Sequence, residues 1–221
     1  MGNLFSMDSP VLAVLSKICD ILFLSVVFIF LCIPVVTIGP ACTALYYTVV
    51  KVIRKERGYL FREFFKSFRM NFKRGAIIGV ILTVIFVILY FDLNVAWMSI
   101  AEDSSKGSLF VGVYLAITFL VISFTLFVFP ILSRFEMTIK QLFKAAVYMS
   151  MKHLPYTFVM LVVVVASVVL IVLSNFMLLF FLPAASVLLN SFMMEHILKK
   201  YMPKSEGPGE ETGKDEWYLD N

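Results

Sequence analysis

Charge is the scarcest thing in this chain. Only 15% of its 221 residues are Asp, Glu, Lys or Arg, against 61% that are apolar, and mean hydropathy is +0.93. A soluble domain is about a quarter charged and about half apolar. This composition therefore excludes a free-standing water-soluble fold, and the surplus apolar surface must face lipid. Cysteine is scarce as well. Cys19, Cys32 and Cys42 lie in apolar surroundings with no CxxC pair. An odd count inside a bilayer argues against a disulfide frame or a zinc site, which leaves small apolar packing residues as the reading. Lys and Arg are absent before Lys17, so the basic start of a cleavable leader is missing and the first apolar run is expected to stay as an anchor. The chain has no GxxxxGK[ST] and no HExxH, and no Ser-His-acid set in a recognisable context. No cofactor is expected, and the chain is not read as an enzyme.

What is present is a series of long apolar runs, at residues 11–33, 75–100, 109–132, 156–173 and 176–197. Each is near the roughly 20 residues that cross about 30 Å of hydrocarbon as a helix. Backbone groups in lipid must be satisfied within the segment, and the alternation of barrel strands is lacking. The fold class is therefore all-α: a polytopic integral membrane helical bundle over residues 1–203. An acidic tail at 204–221, with six acidic residues and two lysines, reads as disordered. Asp8-Ser9-Pro10 reads as a helix start. Residues 38–54 form the ambiguous piece. As a helix they would rise about 26 Å, with small residues suited to helix packing. We read them as a short second membrane helix, the alternative being a re-entrant or interfacial one, so the bundle has five to six spans.

Basic residues set the sidedness. Residues 51–74 hold nine Lys and Arg against Glu56 and Glu63, and Lys199, Lys200 and Lys204 follow the last run. The loop at 101–108 has Glu102, Asp103 and Lys106. The positive-inside rule then puts the basic loops and the C-terminus in the cytoplasm. Six helices place the N-terminus inside, and five place it outside.

The two basic segments repeat at an offset of 78 residues. Phe61, Arg62, Phe64, Phe65, Lys66, Phe68 and Arg74 align with Ile139, Lys140, Leu142, Phe143, Lys144, Ala146 and Lys152. On a helix Phe61, Phe64, Phe65, Phe68 and Phe72 form one stripe, and Arg62, Lys66, Arg69 and Lys73 form a second beside it. The second copy keeps both stripes through Lys140, Phe143 and Lys144. This is the pattern of an amphipathic helix in the membrane interface, meeting anionic headgroups at about 1 kcal/mol per charge. It predicts two cytoplasmic amphipathic helices and an internal duplication, of a kind that some transporters show. A docking surface for a partner is the sharper reading, whereas nucleic acid is not expected as a partner.

Four polar residues within the runs are candidates for intramembrane roles. Lys17 and Asp20, three apart, can pair on one helix face near its inner end. Asp92 and Asn94 fall late in their run, near the outer surface. Gly75 and Gly79 make a GxxxG spacing, which means close helix packing.

Three motifs stand in order: Asn3-Leu4-Phe5-Ser6 with Asp8-Ser9-Pro10; Pro34-Val35-Val36-Thr37-Ile38-Gly39-Pro40-Ala41 with Thr43-Ala44-Leu45-Tyr46-Tyr47; and Gly58-Tyr59 with Phe64-Phe65-Lys66-Ser67-Phe68 and Asn71-Phe72-Lys73. In these the chain resembles the YesL family of bacterial membrane proteins, a domain of unknown function. The resemblance implies a multi-pass protein of the bacterial cytoplasmic membrane. It also implies genes neighbouring those for carbohydrate ABC transporters, and it brings no catalytic residues. The expectation is an accessory or regulatory membrane component linked to carbohydrate uptake, with ABC-transporter subunits as partners or a homo-oligomer. The alternatives are a stand-alone small-solute transporter or channel and, more weakly, a membrane enzyme of envelope assembly.

Overall fold

The computed structural model describes residues 10–100 and 104–201. The helix start expected at Asp8-Ser9 and the acidic tail lie outside the described residues, and Pro10 opens the first helix. In order the helices are α1 (Pro10–Cys32), α2 (Ile38–Thr48), α3 (Leu60–Met70), α4 (Phe72–Ser99), α5 (Ser104–Arg134), α6 (Ile139–Lys152), α7 (Leu154–Leu173) and α8 (Leu182–Leu198). Among the described residues there is no strand. The apolar runs become α1, α4, α5, α7 and α8. Val84, Val87 and Ile88 of α4 and Val162, Val165 and Val169 of α7 are all exposed, a surface that suits lipid and not water.

The ambiguous segment is helical almost throughout. A 3-10 turn at Val35–Thr37 leads into α2, which continues as π-helix over Val49–Arg54. Together Val35–Arg54 make 20 residues, long and apolar enough to cross a membrane. The segment turns back on α1, because Lys17 near the start of α1 pairs with Glu56 just past its end, at 2.7 Å. The short span is the last one. Residues 176–181 do not join the final helix, since Asn175 and Phe176 take positive φ (49° and 64°) and break the chain. α8 begins only at Leu182, with Pro183 in its first turn. Its 17 residues rise about 25 Å.

α2 is the hub. It packs against α1, α3, α4, α5 and α8. One core gathers on α5 with Tyr46, Ile78, Phe127, Ile131, Met160 and Met194; the other joins Ile21, Leu24, Ala44, Leu45, Phe64 and Ala184. At its N-terminal end α2 meets the start of α4 backbone to backbone. A methyl on Gly39 would overlap the Gly75 carbonyl, and one on Gly79 would come within 2.7 Å of the Gly39 nitrogen. The GxxxG pair of α4 is thus the seat for a third glycine. Ser25 of α1 ties in α8 by accepting from the Ala184 N–H at 3.1 Å and donating to the Phe181 carbonyl at 3.2 Å.

The duplication is visible in the element order. α2-α3-α4 and α5-α6-α7 are each a span, an amphipathic helix and a span, with α1 and α8 outside them. Equivalent positions share their burial: Phe64 and Leu142 are each 1% exposed, Phe65 and Phe143 are half-buried, and Lys66 and Lys144 are exposed. A single non-helical residue turns the corner in both, Asn71 in the first and His153 in the second.

The glycine crossing makes a sharp prediction. Gly39→Ala should lower stability by about 1–3 kcal/mol through overpacking. Gly112→Ala, with nothing within 4 Å of the added carbon, should be neutral or stabilising by up to about 1 kcal/mol. Thermal unfolding of the two purified variants in mild detergent checks this.

Candidate functional site

The functional candidates gather at the basic end of the bundle, where the π-helical stretch re-aims the side chains of α2. The Lys55 N–H bonds back to the Val50 carbonyl and the Arg57 N–H to Lys51. The wider turn rotates Lys51 and Arg54 inward; such turns often mark functional sites. Gly58 then takes φ +86°, and a side chain there would strike Glu63. The tight turn at Gly58 brings the start of α3 back against α2.

Two buried ion pairs result, and adjacent tyrosines of α2 serve one each. Lys51 Nζ lies 2.8 Å from Glu63 Oε2, and both are largely buried. Lys51 also donates to the Tyr47 hydroxyl at 3.1 Å, and Tyr47 donates in turn to Glu63 at 3.4 Å. On the other face, Arg134 of α5 meets Glu195 of α8 at 2.5 Å, with their side chains 1% and 7% exposed. Tyr46 donates to the same Glu195 oxygen at 2.7 Å. Beside it Arg54 donates to the Ser191 carbonyl at 2.9 Å and lies over the Phe192 ring at 4.1 Å. Each carboxylate is held by a cation and a phenol. Their chemistry is fastening: Glu63 mounts α3 on α2, and Glu195 locks α8 to α2 and α5. Positive charge remains in excess around them. Burial, then the nearby Arg134, Lys199 and Arg57, hold the Lys55 ammonium below its ordinary pKa.

The amphipathic helices sit on this base. The Phe stripe of α3 does not all meet lipid. Phe64 is core, Phe65 and Phe68 are half-buried, and Phe61 and Phe72 are exposed. The rings form a ladder, with Phe61–Phe65 at 4.5 Å and Phe68–Phe72 at 5.5 Å, which Phe23 of α1 extends at 6.4 Å. Arg62, Lys66, Arg69 and Lys73 are all exposed. On α6, Lys140 and Lys144 are exposed and Phe143 packs at a tilt against Phe124, with ring centroids 4.9 Å apart. An aromatic knot closes this side: Lys152 donates to Tyr148 at 3.1 Å, and His153 Nε2 is 3.1 Å from the Tyr201 hydroxyl. The hydrogen bond to Tyr148 raises the Lys152 pKa. Burial, then Lys200, Lys152 and His196, lower that of His153.

The other sequence candidates do not join this site. Lys17 pairs with Glu56 and not with Asp20. Glu56 is the better partner because α1 and α2 are antiparallel, which brings it level with Lys17 at the interface. Asn94 bonds its own helix at Tyr90, and Asp92 stands half-exposed at the far end of α4. Among the described residues no three His, Cys, Asp or Glu side chains gather to hold a metal. Sequence reasoning passed over Tyr46, Arg134 and Glu195. The available signal was a lone Arg and a lone Glu, each at the end of an apolar run. A cavity of about 340 Å³ lies deeper in the bundle, between α7 and the packed helices.

A family model described as a protein of unknown function, DUF624, matches residues 19–93. The matched stretch runs from α1 to late α4 and so contains Tyr46, Lys51 and Glu63, while Arg134 and Glu195 lie beyond it. No curated protein and no solved structure matches the chain. With its apolar helices, the chain is a multi-pass membrane protein, of which residues 19–93 are similar to this domain of unknown function.

Removing one partner of a buried pair leaves a bare charge, which costs about 3–5 kcal/mol, whereas an apolar pair is often neutral. Glu195→Leu should therefore be strongly destabilised in detergent unfolding, and Arg134→Met with Glu195→Leu should recover most of the loss. His153 supplies a pH test. Its folded pKa lies below the ordinary 6.5, so the stability it contributes is present above about 6.5 and is lost as pH falls through the folded value. Unfolding followed between neutral and acidic pH should show less loss in His153→Gln.

Proposed function

We propose that this chain is an accessory or regulatory membrane component linked to carbohydrate uptake, in a bacterial cytoplasmic membrane, with its basic end in the cytoplasm. The observation that carries the reading is the mounting of α3. Glu63 is anchored to Lys51 in the interior, which turns the row Arg62, Lys66, Arg69 and Lys73 outward as a firm basic surface. A helix serving only as a lipid float has no need of a buried ion pair beneath it. The row suits an acidic face of a partner complex alongside anionic headgroups. The resemblance to the YesL family, with its gene neighbourhood of carbohydrate ABC transporters, supplies the class of partner: permease or ATPase subunits. A stand-alone transporter of polar solutes has less support, since Phe28, Leu45, Phe129, Met160, Val164 and Ile171 wall the interior cavity with carbon.

The experiment is affinity purification of the tagged protein from its native membrane in mild detergent. The parent should recover transporter subunits stoichiometrically. The variant with Arg62, Lys66, Arg69 and Lys73 all changed to Ala should lose most of that recovery while folding normally, because none of the four is buried. Recovery of the parent alone, or as a homo-oligomer, would overturn the accessory reading.

A further inference from the structure

A shallow groove runs along the outward face of α6. Phe143, Val147 and Met151, spaced by four, form an apolar stripe in it, and Lys144, Tyr148 and Lys152, spaced likewise, form a basic one. This face turns away from the buried residues Leu142, Ala146 and Met149. Val147, Tyr148 and Met151 are each more than half exposed. The lysines place the face at the aqueous boundary and not in hydrocarbon, so its exposed carbon favours a cover. α6 carries three lysines and no acid, and Lys199 and Lys200 stand exposed at the end of α8. A cover for this groove must therefore bring apolar groups and negative charge together.

The chain carries such a segment and delivers it to this place. The described residues end at Tyr201, whose ring packs edge-on against Tyr148 at 6.5 Å and lies 5.3 Å from the Lys152 ammonium. Tyr148 and Lys152 both line the groove. Residues 202–221 then hold six acids against two lysines. Their one apolar cluster, Trp217-Tyr218-Leu219, is flanked by Asp215 and Glu216 before it and Asp220 after it. Fifteen residues, three of them glycine, separate Trp217 from Tyr201. A linker of that length spans about 22 Å on average, so the groove is within reach. Spacing fits as well as sign. Glu216 and Asp220 are about 13 Å apart in extended chain, and Lys144 and Lys152 are about 12 Å apart along α6.

We propose that residues 215–220 fold back onto the groove of α6 in the same molecule. Trp217 and Leu219, on one side of an extended backbone, cover Val147 and Met151, while Glu216 and Asp220 meet Lys144 and Lys152. The tether holds the segment near the groove at an effective concentration of about millimolar order. An anionic membrane surface suits the same lysines, but it gives no reason for acids on both flanks of an aromatic cluster at the matching distance. Docked, the segment screens the basic face of α6 and leaves the row on α3 open, so the two duplicated helices present different surfaces. The site rests on α6 and the segment alone, whatever the role of α3.

The test uses the full chain in mild neutral detergent with Trp217→benzoylphenylalanine as a photoreactive probe. Irradiation and peptide mapping should place the cross-link within one molecule, on Val147 and Met151. Asp215→Lys with Glu216→Lys and Asp220→Lys should cut the yield about tenfold. Lys144→Glu with Lys152→Glu should do the same, and the two sets combined should restore it, since the surfaces are then matched again with signs exchanged. A cross-link that joins two molecules, that maps to α3, or that the reversal of the segment's charge leaves unchanged would overturn the proposal. So would its loss when the protein is moved from neutral detergent into vesicles containing phosphatidylglycerol, which would assign the groove to anionic lipid. Should Lys152→Glu disturb the knot with Tyr148 and Tyr201, Lys140→Glu with Lys144→Glu takes its place, and the segment reversal, which alters only residues beyond Tyr201, decides the question.

Discussion

A charge can be carried into a membrane protein's interior only with its partner, and the basic end of this bundle is arranged around that constraint. Glu195 comes from the last helix, Arg134 from the middle of the chain and Tyr46 from the hub. Neither ion is tolerable alone in a low-dielectric setting, because the desolvation of a lone ion is several kcal/mol. Together they fix which ends of α2, α5 and α8 lie side by side. Hydrophobic burial cannot do this in a bilayer, where lipid tails are as apolar as Leu and do not drive helices together. The ion pairs set direction and register, and the glycine crossing sets distance.

The hub divides this work along its length. At its N-terminal end its backbone meets that of α4 at Gly75 and Gly79. Its C-terminal part carries two tyrosines on the last α-helical turn and two cations, Lys51 and Arg54, on the π-helix that follows. Tyr46 and Tyr47, neighbours in sequence, reach Glu195 and Glu63 on different helices. One short helix therefore holds both the amphipathic element before α4 and the terminal span in place. Among the described residues α6, the counterpart of α3, shows no comparable ionic mount: its buried residues are Leu142, Ala146, Met149 and Ser150. The duplicated architecture is thus asymmetric in its fastening, with the first copy built as the firmer platform.

Much of the architecture was legible from residue order alone. The apolar runs, both amphipathic helices, their duplication and the GxxxG contact all rest on local periodicity, which one sequence carries. The failures are non-local. The pairing of Lys17 with Asp20 was read from spacing on one helix, but Glu56 arrives from 39 residues away on an antiparallel neighbour. The Phe stripe of α3 looked like a lipid-facing surface, but which ring points inward depends on where α2 lies, and Phe64 proved to be core. Arg134 and Glu195 drew no reading from the sequence, because their meeting spans a separation of 61 positions in the chain. The start of α8 was misplaced because Asn175 and Phe176 take left-handed backbone in a stretch whose hydropathy shows no break.

The shortness of α8 has a consequence for how the protein is made. A segment of 17 residues that ends in Glu195 and His196 is a poor candidate to partition into lipid by itself. Its acid adds a further cost of insertion. α7, the most apolar span, has no such handicap. Membrane integration must then run in order. The first five spans settle, presenting Ser25 at one end and Arg134 with Tyr46 at the other, and the last helix is accepted into a berth already cut for it. Its entry is the step that completes the protein, and a ribosome that stops before Glu195 leaves behind an arginine that no lipid will accommodate.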